Sequence, residues 1–277
     1  MRHLRTIPQL REYRRSVDKP VALVPTMGAL HDGHLRLIEE ARRLSDEVWV
    51  SIFVNPTQFG PAEDLDKYPR PIEADLAACA SLGVSAVFLP EPDEVYPPGV
   101  LSTALDVPSL TGSFEGAHRP GHFAGVCRVV LKLFNLCQPR VACFGQKDYQ
   151  QLRVIEAMVE DLNLPIAIQR VKTVREADGL AMSSRNRYLS EDDRRSAAGL
   201  YKALQLAKRL IVDNGESDPA VIERAMTQTL IAHKIEPDYC AVRHPETLEA
   251  MDAVTAPAVA LIAGRLGSVR LLDNELI

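Results

Sequence analysis

The chain has 277 residues, of which 46% are hydrophobic and 25% are charged, a composition typical of globular proteins long enough for two domains. Its formal net charge of −5 argues against nucleic acid or an anionic membrane as a partner and favours a small anionic ligand held in a local pocket. No apolar run approaches transmembrane length, and the five cysteines include no C-x-x-C pair. We therefore expect a cytoplasmic protein with reduced, buried thiols.

The first recognisable pattern is a strand, a turn and a helix. An apolar run at residues 21–25 predicts the strand, and helical periodicity over residues 35–44 predicts the helix. Between them stands an H-x-G-H motif, His31-Asp32-Gly33-His34. A helix N-terminus offers unpaired N–H donors and partial positive charge, and imidazoles can donate to the same oxygens. The motif therefore indicates a site for the phosphates of a nucleotide, with two histidines in a surface loop as the alternative interpretation.

Further apolar runs predict the rest of a sheet. Those at residues 48–54, 86–89, 141–144 and 165–168 alternate with amphipathic stretches, which is typical of a parallel α/β sheet. Ligands of such sheets bind beyond the carboxyl ends of the strands. Three motifs of this chain fall there, at residues 31–34, 55–59 and 145–148, so we expect them to share one edge of the sheet.

Two polar motifs in this α/β half suit a small organic acid. Asn55 and Gln58 supply uncharged donors and acceptors that can orient a hydroxylated carboxylate, although Asn55 can equally cap a turn. Arg119 and His122 precede a helix-like run at residues 123–136 and place a cation and an imidazole where an anion can bind. A helix cap with incidental charge fits that second motif equally well.

Two later segments suit phosphate groups. Lys147 can extend from the glycine turn at residues 145–148 towards phosphate oxygens, although most lysines are simply solvated. The loop at residues 178–186 contains a glycine, two hydroxyl groups and a cation. It can close over a triphosphate with Ser183, Ser184 and Arg185 as donors, and a plain interdomain turn is the alternative.

The pattern changes after residue 185. Residues 191–213 and 218–234 predict helices, and the last part of the chain predicts strands at residues 239–242, 259–263 and 269–272, with a hairpin turn at residues 264–267. We therefore predict an α/β domain over residues 1–175 and a smaller α+β domain over residues 176–277.

Taken together, these motifs resemble the pantothenate synthetases, or pantoate–beta-alanine ligases, of the nucleotidylyltransferase superfamily. The resemblance covers nearly the whole chain, and the segments that carry it are residues 25–34, 51–59, 115–116, 119–126, 132–135, 144–151, 174–189 and 271–274. It implies a Rossmann-like catalytic domain that binds ATP and pantoate, with the C-terminal domain closing over the active site. The implied reaction condenses pantoate with beta-alanine through pantoyl adenylate and releases pyrophosphate and AMP. The resemblance also implies Mg²⁺ as a companion of ATP, and a homodimer.

The resemblance implies site residues position by position. His34 is the implied proton donor, and His31 and Lys147 are further donors to the reacting phosphates. The implied ATP contacts are Met27, Gly28, Ala29, Leu30, His31, Asp32, Gly33, His34, Gly145, Gln146, Lys147, Asp148, Val174, Met182, Ser183, Ser184 and Arg185. The implied contacts to pantoate and beta-alanine are Asn55, Gln58, Arg119, His122 and Gln151, of which Gln58 would touch both substrates.

Two positions depart from the family pattern. Some members carry acidic metal-binding positions in the helix after Tyr68, where this chain has Ala74 followed by Asp75, so no protein ligand for Mg²⁺ is assigned. Arg128 stands where a small hydroxyl residue is common. Two other functions stay open, namely a nucleotidylyltransferase that transfers AMP to a phosphate acceptor and stops there, and a nucleotide-binding regulatory module without turnover.

Overall fold

The computed structural model describes residues 1–61, 63 and 65–277. The chain divides into two compact units. One comprises Met1–Gly145 and Gln151–Val171, and the other comprises Gln146–Gln150 and Lys172–Ile277. The short segment Gln146–Gln150 thus belongs with the C-terminal half of the chain, although it directly follows a strand of the first unit.

The described part of the first unit is built on a six-stranded sheet with the strand order β1-β4-β3-β2-β5-β6, and every neighbouring pair is parallel. The strands are β1 (Arg2–Leu4), β2 (Val21–Thr26), β3 (Glu47–Ile52), β4 (Ala86–Phe88), β5 (Val141–Gly145) and β6 (Ala167–Val171). Because β3, β2 and β5 are adjacent and parallel, their carboxyl ends lie at one edge of the sheet. The motifs after β2 and β3, together with Gly145 at the end of β5, therefore share that edge, as the sequence predicts.

Helices connect these strands. They are α1 (Ile7–Ser16), α2 (Asp32–Leu44), α3 (Ile72–Ser81), α4 (Pro92–Val95), α5 (Pro108–Thr111), α6 (Glu115–His118), α7 (His122–Cys137) and α8 (Tyr149–Asp161). The apolar stripe of α2 is buried, with Ile38 and Ala41 packed in one core cluster with Val24 and Val50 of the sheet. An aliphatic side chain as large as isoleucine, fully buried in this way, stabilises the fold by about 1.5–3 kcal/mol, so this stripe holds the start of α2 at the carboxyl edge.

The second unit contains an antiparallel sheet with the strand order β7-β8-β9. Its strands are β7 (Glu236–Arg243), β8 (Val259–Leu266) and β9 (Val269–Leu276), and its helices are α9 (Glu191–Ala197), α10 (Gly199–Val212) and α11 (Pro219–Ala232). Leu200, Leu204, Met226 and Ile262 are fully buried in one core between these helices and the sheet. This α+β arrangement agrees with the sequence-based expectation. A hairpin joins β8 to β9 as expected, but its turn lies at residues 267–268 and not at 264–267, because residues 264–266 still pair with β9.

Some element boundaries differ from those expected. The strand expected at residues 165–168 lies at Ala167–Val171, because Pro165 has no N–H to donate to a neighbouring strand. The helix expected over residues 191–213 is interrupted at Ala198, next to Gly199, where a Cβ would come within 2.5 Å of His233. Strand β1 was not predicted from the sequence, because it is short and mostly exposed. No helix in the described ranges is both long and apolar enough to cross a membrane.

Candidate active site

The loop that joins β2 to α2, residues 27–31, is held by its neighbours on the sheet. Thr26 Oγ1 donates to the Ser51 carbonyl at 2.8 Å and accepts from the Gly28 amide at 3.1 Å. Gly28 has φ +82°, and a Cβ at this position would lie 2.9 Å from Ile52 Cγ2. Only glycine meets both conditions without strain, so the β2–α2 loop can run close to the end of β3.

Asp75 of α3 orders the same loop. Its carboxylate accepts from the Ala29 amide at 2.9 Å and from the Leu30 amide at 2.8 Å, and the residue is only 2% exposed. Both carboxylate oxygens are thus hydrogen-bonded to backbone of the loop, whereas the neighbouring Ala74 is exposed. The carboxylate of Asp75 therefore supports the β2–α2 loop.

The two histidines of the H-x-G-H motif cap α2. His31 Nδ1 accepts from the Gly33 amide at 3.2 Å, and His34 Nδ1 accepts from the His31 amide at 3.3 Å. A ring nitrogen that accepts from a backbone N–H carries no proton, so the neutral rings carry their proton on Nε2. The ring centroids are 4.1 Å apart. Two adjacent Nε2–H donors at a helix N-terminus suit the oxygens of a phosphate.

Asn55 lies at the end of the adjacent strand β3 and is 1% exposed. Its Oδ1 accepts from Thr57 Oγ1 and from the Tyr96 hydroxyl, both at 2.9 Å. These contacts determine the orientation of the amide, because Oδ1 faces donors and Nδ2 faces acceptors. Nδ2 donates to Gln58 Oε1 at 3.0 Å and to the Gly125 carbonyl at 3.1 Å.

The hydrogen bond from Asn55 orients the side chain of Gln58. Since its Oε1 accepts from Asn55, its remaining polar atom is the Nε2 donor, which lies 3.2 Å from Met27 Sδ in the β2–α2 loop. Helix α7 packs directly on this turn, because a Cβ at Gly125 would lie 2.3 Å from the Thr57 carbonyl oxygen. The arrangement presents an amide donor suited to a carboxylate or hydroxyl oxygen.

His122 begins α7 and binds the same turn. Its Nδ1 lies 2.8 Å from the Gln58 carbonyl oxygen, which can only accept, so Nδ1 carries the proton. Nε2 then accepts from Arg119 Nη1 at 3.1 Å. Burial, and next the nearby Arg119 charge, lower the pKa of His122 to about 4. The imidazole predicted from the sequence is therefore present as a neutral ring at pH 7.

Arg119 makes an ion pair that the sequence analysis did not identify. Its Nε and Nη2 donate to the Glu63 carboxylate at 3.0 and 2.6 Å. Burial raises the pKa of Glu63, but the Arg119 hydrogen bonds and charge outweigh it, so the pKa of Glu63 is lowered. The pair joins residues 56 positions apart, which is why no local pattern indicates it.

The structure also accounts for Arg128. Its guanidinium lies over the Tyr96 ring, 4.6 Å from the centroid, and Lys132 Nζ is 5.6 Å from the same centroid. The Tyr96 hydroxyl is the group that donates to Asn55. Arg128 is thus a cation–π partner of a side chain that supports the Asn55–Gln58 pair.

In the second unit, Lys147 lies in a single turn of 3-10 helix, Gln146–Asp148. Its Nζ is 3.5 Å from Asp148 Oδ1. The Asn274 side chain of β9 donates to the backbone carbonyls of Gln146 and Lys147. The backbone of the lysine turn is therefore anchored to the antiparallel sheet.

The other predicted segment of the second unit is a tight antiparallel turn at residues 174–182. The Met182 amide donates to the Val174 carbonyl at 2.9 Å, which closes the turn. Ser183 Oγ then accepts from the Arg185 amide at 3.2 Å and caps the 3-10 helix Ser184–Tyr188. The predicted donors Ser183, Ser184 and Arg185 therefore lie together at the start of this 3-10 helix, directly after the turn.

The first unit brings together five residues that the sequence analysis identified: Met27, Asn55, Gln58, Arg119 and His122. Gly145 ends β5, and Gln151 lies on α8. In residues 1–61, 63 and 65–277, no three or more histidine, cysteine, aspartate or glutamate side chains cluster so that they could hold a metal ion. The ligand contacts of these residues stay predictions.

A parallel α/β sheet with a histidine-capped helix start and oriented amides at its carboxyl edge is the arrangement typical of nucleotide-binding α/β proteins. A family model described as Pantoate-beta-alanine ligase matches residues 2–276. The chain belongs to the pantoate–beta-alanine ligase family.

Curated relatives agree with this assignment. The chain is 48% identical to a pantothenate synthetase of Idiomarina loihiensis, over 99% of this chain and 97% of that protein. It is also 48% identical to a bifunctional pantoate ligase/cytidylate kinase of Synechococcus elongatus, over 99% of this chain. The chain spans about half, 52%, of the length of that bifunctional relative.

Solved structures share the whole fold. A pantothenate synthetase from Thermus thermophilus superposes with a TM-score of 0.93 at 47% identity, with 99% of each chain covered. A pantoate-beta-alanine ligase from Francisella tularensis gives a TM-score of 0.83 at 33% identity, covering 100% of this chain and 97% of that one. The Francisella structure is described as complexed with beta-gamma ATP and beta-alanine.

Proposed function

We propose that this chain condenses pantoate with beta-alanine at the expense of ATP and forms pantothenate, AMP and pyrophosphate through a pantoyl adenylate. The observation that carries the proposal is the edge shared by β2 and β3. There the proton-bearing Nε2 atoms of His31 and His34 stand at the start of α2, and the oriented amide of Gln58 lies 3.2 Å from Met27 of the same loop. Phosphate donors and a donor for an organic acid therefore occur side by side. The ATP and beta-alanine bound to the Francisella relative support these substrates.

In the first step, a carboxylate oxygen of pantoate attacks the α-phosphorus of ATP. The bond from that phosphorus to the oxygen bridging to the β-phosphorus breaks, and pyrophosphate leaves with the bonding electrons. The Nε2–H groups of His31 and His34 donate to phosphate oxygens on which charge builds up, with His34 as the proton donor. Gln58 holds pantoate so that its carboxylate is aligned for attack.

In the second step, the amine of beta-alanine attacks the acyl carbon of the adenylate. The carbon–oxygen bond to AMP breaks and AMP leaves with the bonding electrons, an amide forms, and the nitrogen loses a proton to solvent water. No side chain becomes covalently attached, so alignment and charge stabilisation supply the catalysis. The mixed anhydride must be kept from water, a role we assign to the loop that contains Met182 and Arg185.

The remaining ATP contacts in this proposal come from Gly145 and from residues of the second unit: Gln146, Lys147, Asp148, Val174, Met182, Ser183, Ser184 and Arg185. Lys147 supplies a positive charge for phosphate oxygens. Mg²⁺ would arrive on the nucleotide, held by phosphate oxygens and water, and would neutralise charge on the departing pyrophosphate. The pairing of both Asp75 oxygens with backbone amides fits that nucleotide-borne mode. A homodimer in the cytoplasm completes the proposal.

The test is release of pyrophosphate and AMP from MgATP with pantoate, with and without beta-alanine. We expect pyrophosphate with pantoate alone in the first turnover, and AMP with pantothenate only after beta-alanine is added. Transfer of AMP to a phosphate acceptor, or ATP binding without pantoate-dependent pyrophosphate, would replace this function with a different transferase or a regulatory module.

A further inference from the structure

The residues Asp273 and Asn274 of β9 hold together two segments that are far apart in the sequence. Asn274 Nδ2 donates to the Gln146 carbonyl at 2.8 Å and to the Lys147 carbonyl at 2.7 Å. An amide nitrogen has two hydrogens, and here each carbonyl takes one. The residue is 5% exposed, so its amide nitrogen finds its partners in these carbonyls rather than in water.

Asp273 binds the other segment. Its carboxylate accepts from Arg175 Nη1 at 2.6 Å and from Arg175 Nη2 at 3.1 Å, a bidentate pair, and its side chain is fully buried. Arg175 also donates to the Gly179 carbonyl at 3.0 Å, inside the turn at residues 174–182. The Arg175 guanidinium lies over the Tyr201 ring, 4.4 Å from the ring centroid, so this cation–π contact also constrains the position of the guanidinium.

The two halves of this arrangement are connected within one dipeptide. The backbone N–H of Asn274 donates to Asp273 Oδ1 at 2.8 Å, and the backbone carbonyl of Asn274 accepts from Arg175 Nη2 at 3.2 Å. Moving either segment therefore disturbs contacts of the other. The network is more than a generic ion pair, because it joins the Lys147 turn to the turn that leads into Ser183 and Arg185.

We propose that Asp273 and Asn274 are positioning residues that align the Lys147 turn with the turn at residues 174–182, so that both present their donors to the triphosphate of ATP. The assignment rests on the proposed function for the identity of the ligand. It gives a role to the Leu-Leu-Asp-Asn segment near the end of the chain, which contains none of the residues assigned to substrates. Removing the network should weaken ATP binding and leave the amine-dependent step nearly unchanged.

The first experiment measures the dissociation constant of MgATP, without pantoate, for Asn274→Ala and Asp273→Asn. Loss of the two Asn274 hydrogen bonds should weaken ATP binding about tenfold. The matched control is Asp238→Asn, which weakens another carboxylate–arginine pair of the same sheet, with Arg270 at 2.6 Å, whose members belong to neither segment. That control should change ATP affinity less than about twofold.

A double-mutant cycle then tests whether Asn274 acts through Lys147. If it does, Asn274→Ala should cost about tenfold in ATP affinity in the wild-type background and less than about twofold when Lys147→Ala is already present. Additive effects would overturn the proposal, as would unchanged ATP affinity in a folded Asn274→Ala protein or an equal loss in Asp238→Asn. Should Asn274→Ala fail to fold, Asn274→Ser keeps one donor and replaces it in the cycle, with a smaller expected loss.

Half-reactions separate this proposal from the function on which it rests. Aminolysis of supplied pantoyl adenylate by beta-alanine should stay within about threefold of wild type in Asn274→Ala, whereas pantoate-dependent pyrophosphate release at subsaturating ATP should fall about tenfold. Equal losses in both steps would indicate a general structural defect and contradict the positioning role. A wild-type protein that binds ATP but releases no pyrophosphate with pantoate would contradict the function alone, because the ATP-binding cycle still decides the role of Asn274.

Discussion

Asn55 Nδ2 donates to Gln58 Oε1 at 3.0 Å, and this contact decides which polar atom of Gln58 remains to meet a ligand. The Asn55 amide cannot reverse without losing its own partners, since its Oδ1 already accepts from Thr57 and Tyr96. Gln58 is thereby held as a donor. The buried side chain of Asn55 thus determines the hydrogen-bonding role of Gln58.

Asn55→Asp tests this control. The carboxylate has the size of the amide but no N–H, so Gln58 loses its fixed orientation and two acceptors face each other. We expect KM for pantoate and beta-alanine to rise about tenfold while KM for ATP stays within about twofold. Steady-state kinetics with each substrate varied in turn provide the measurement. The control Asn163→Asp changes an exposed asparagine and should behave as wild type; an equal rise in all three KM values would argue against a role specific to Gln58.

His34→Ala removes a proposed donor to the reacting phosphates. Loss of one such donor typically lowers the rate by about 10²–10³-fold, so pantoate-dependent pyrophosphate formation should fall by that factor. The folded structure should survive, because His34 lies at the partly exposed start of α2. Single-turnover measurement of pyrophosphate gives the rate directly, and the exposed His3→Ala serves as the matched histidine control. Near wild-type adenylate formation in His34→Ala would refute the assigned role.

Asp75→Ala should disorder the β2–α2 loop. The substitution leaves the buried amide of Ala29 without its partner, at a cost of about 1–3 kcal/mol, and the partly buried amide of Leu30 loses its partner as well. We expect a lower unfolding temperature and a KM for ATP raised about tenfold. Glu73→Ala removes an exposed carboxylate from the same helix and should leave both quantities unchanged. Normal ATP kinetics in a folded Asp75→Ala protein would show that the loop keeps its shape without this carboxylate.

The stability of the protein should fall on acidification because of His122. Its pKa is lowered to about 4 in the folded state by burial and by the Arg119 charge, whereas an unfolded chain has the ordinary value near 6.5. Between these values the unfolded state binds a proton that the folded state excludes, so stability is full above pH 6.5 and is lost progressively towards pH 4, by at most about 3 kcal/mol. The lowered pKa of Glu63 adds a further loss in the same direction at lower pH.

The measurement is the free energy of unfolding in denaturant from pH 7.5 to pH 4.5 for wild type and for His122→Asn. Asparagine can donate from Nδ2 to the Gln58 carbonyl in the place of His122 Nδ1, yet it does not titrate. We expect a shallower pH dependence in this variant than in wild type. His3→Asn removes an exposed histidine and should keep the wild-type slope; identical slopes in all three proteins would exclude His122 as the source.

Sequence patterns located most of the first unit's sheet and the start of helix α2, where the proposed nucleotide site lies. Apolar runs marked β2, β3, β4 and β5 because a buried parallel strand needs apolar side chains on both faces. The H-x-G-H motif marked the beginning of α2, since capping depends on residues only a few positions apart. The short strand β1 lacked such a signal, because only one of its three residues is buried.

By itself the sequence determined the parallel α/β class, the smaller α+β part, the family and the positions of the candidate site residues. Only the tertiary structure decided that Asp75 supports the β2–α2 loop, that Arg119 pairs with Glu63, and that Asn274 anchors the Lys147 turn. The physical reason is distance along the chain. Periodicity, turns and caps express interactions among neighbours in sequence, whereas hydrogen bonds between residues 45, 56 and 127 positions apart exist only once the strands have taken their places in the fold.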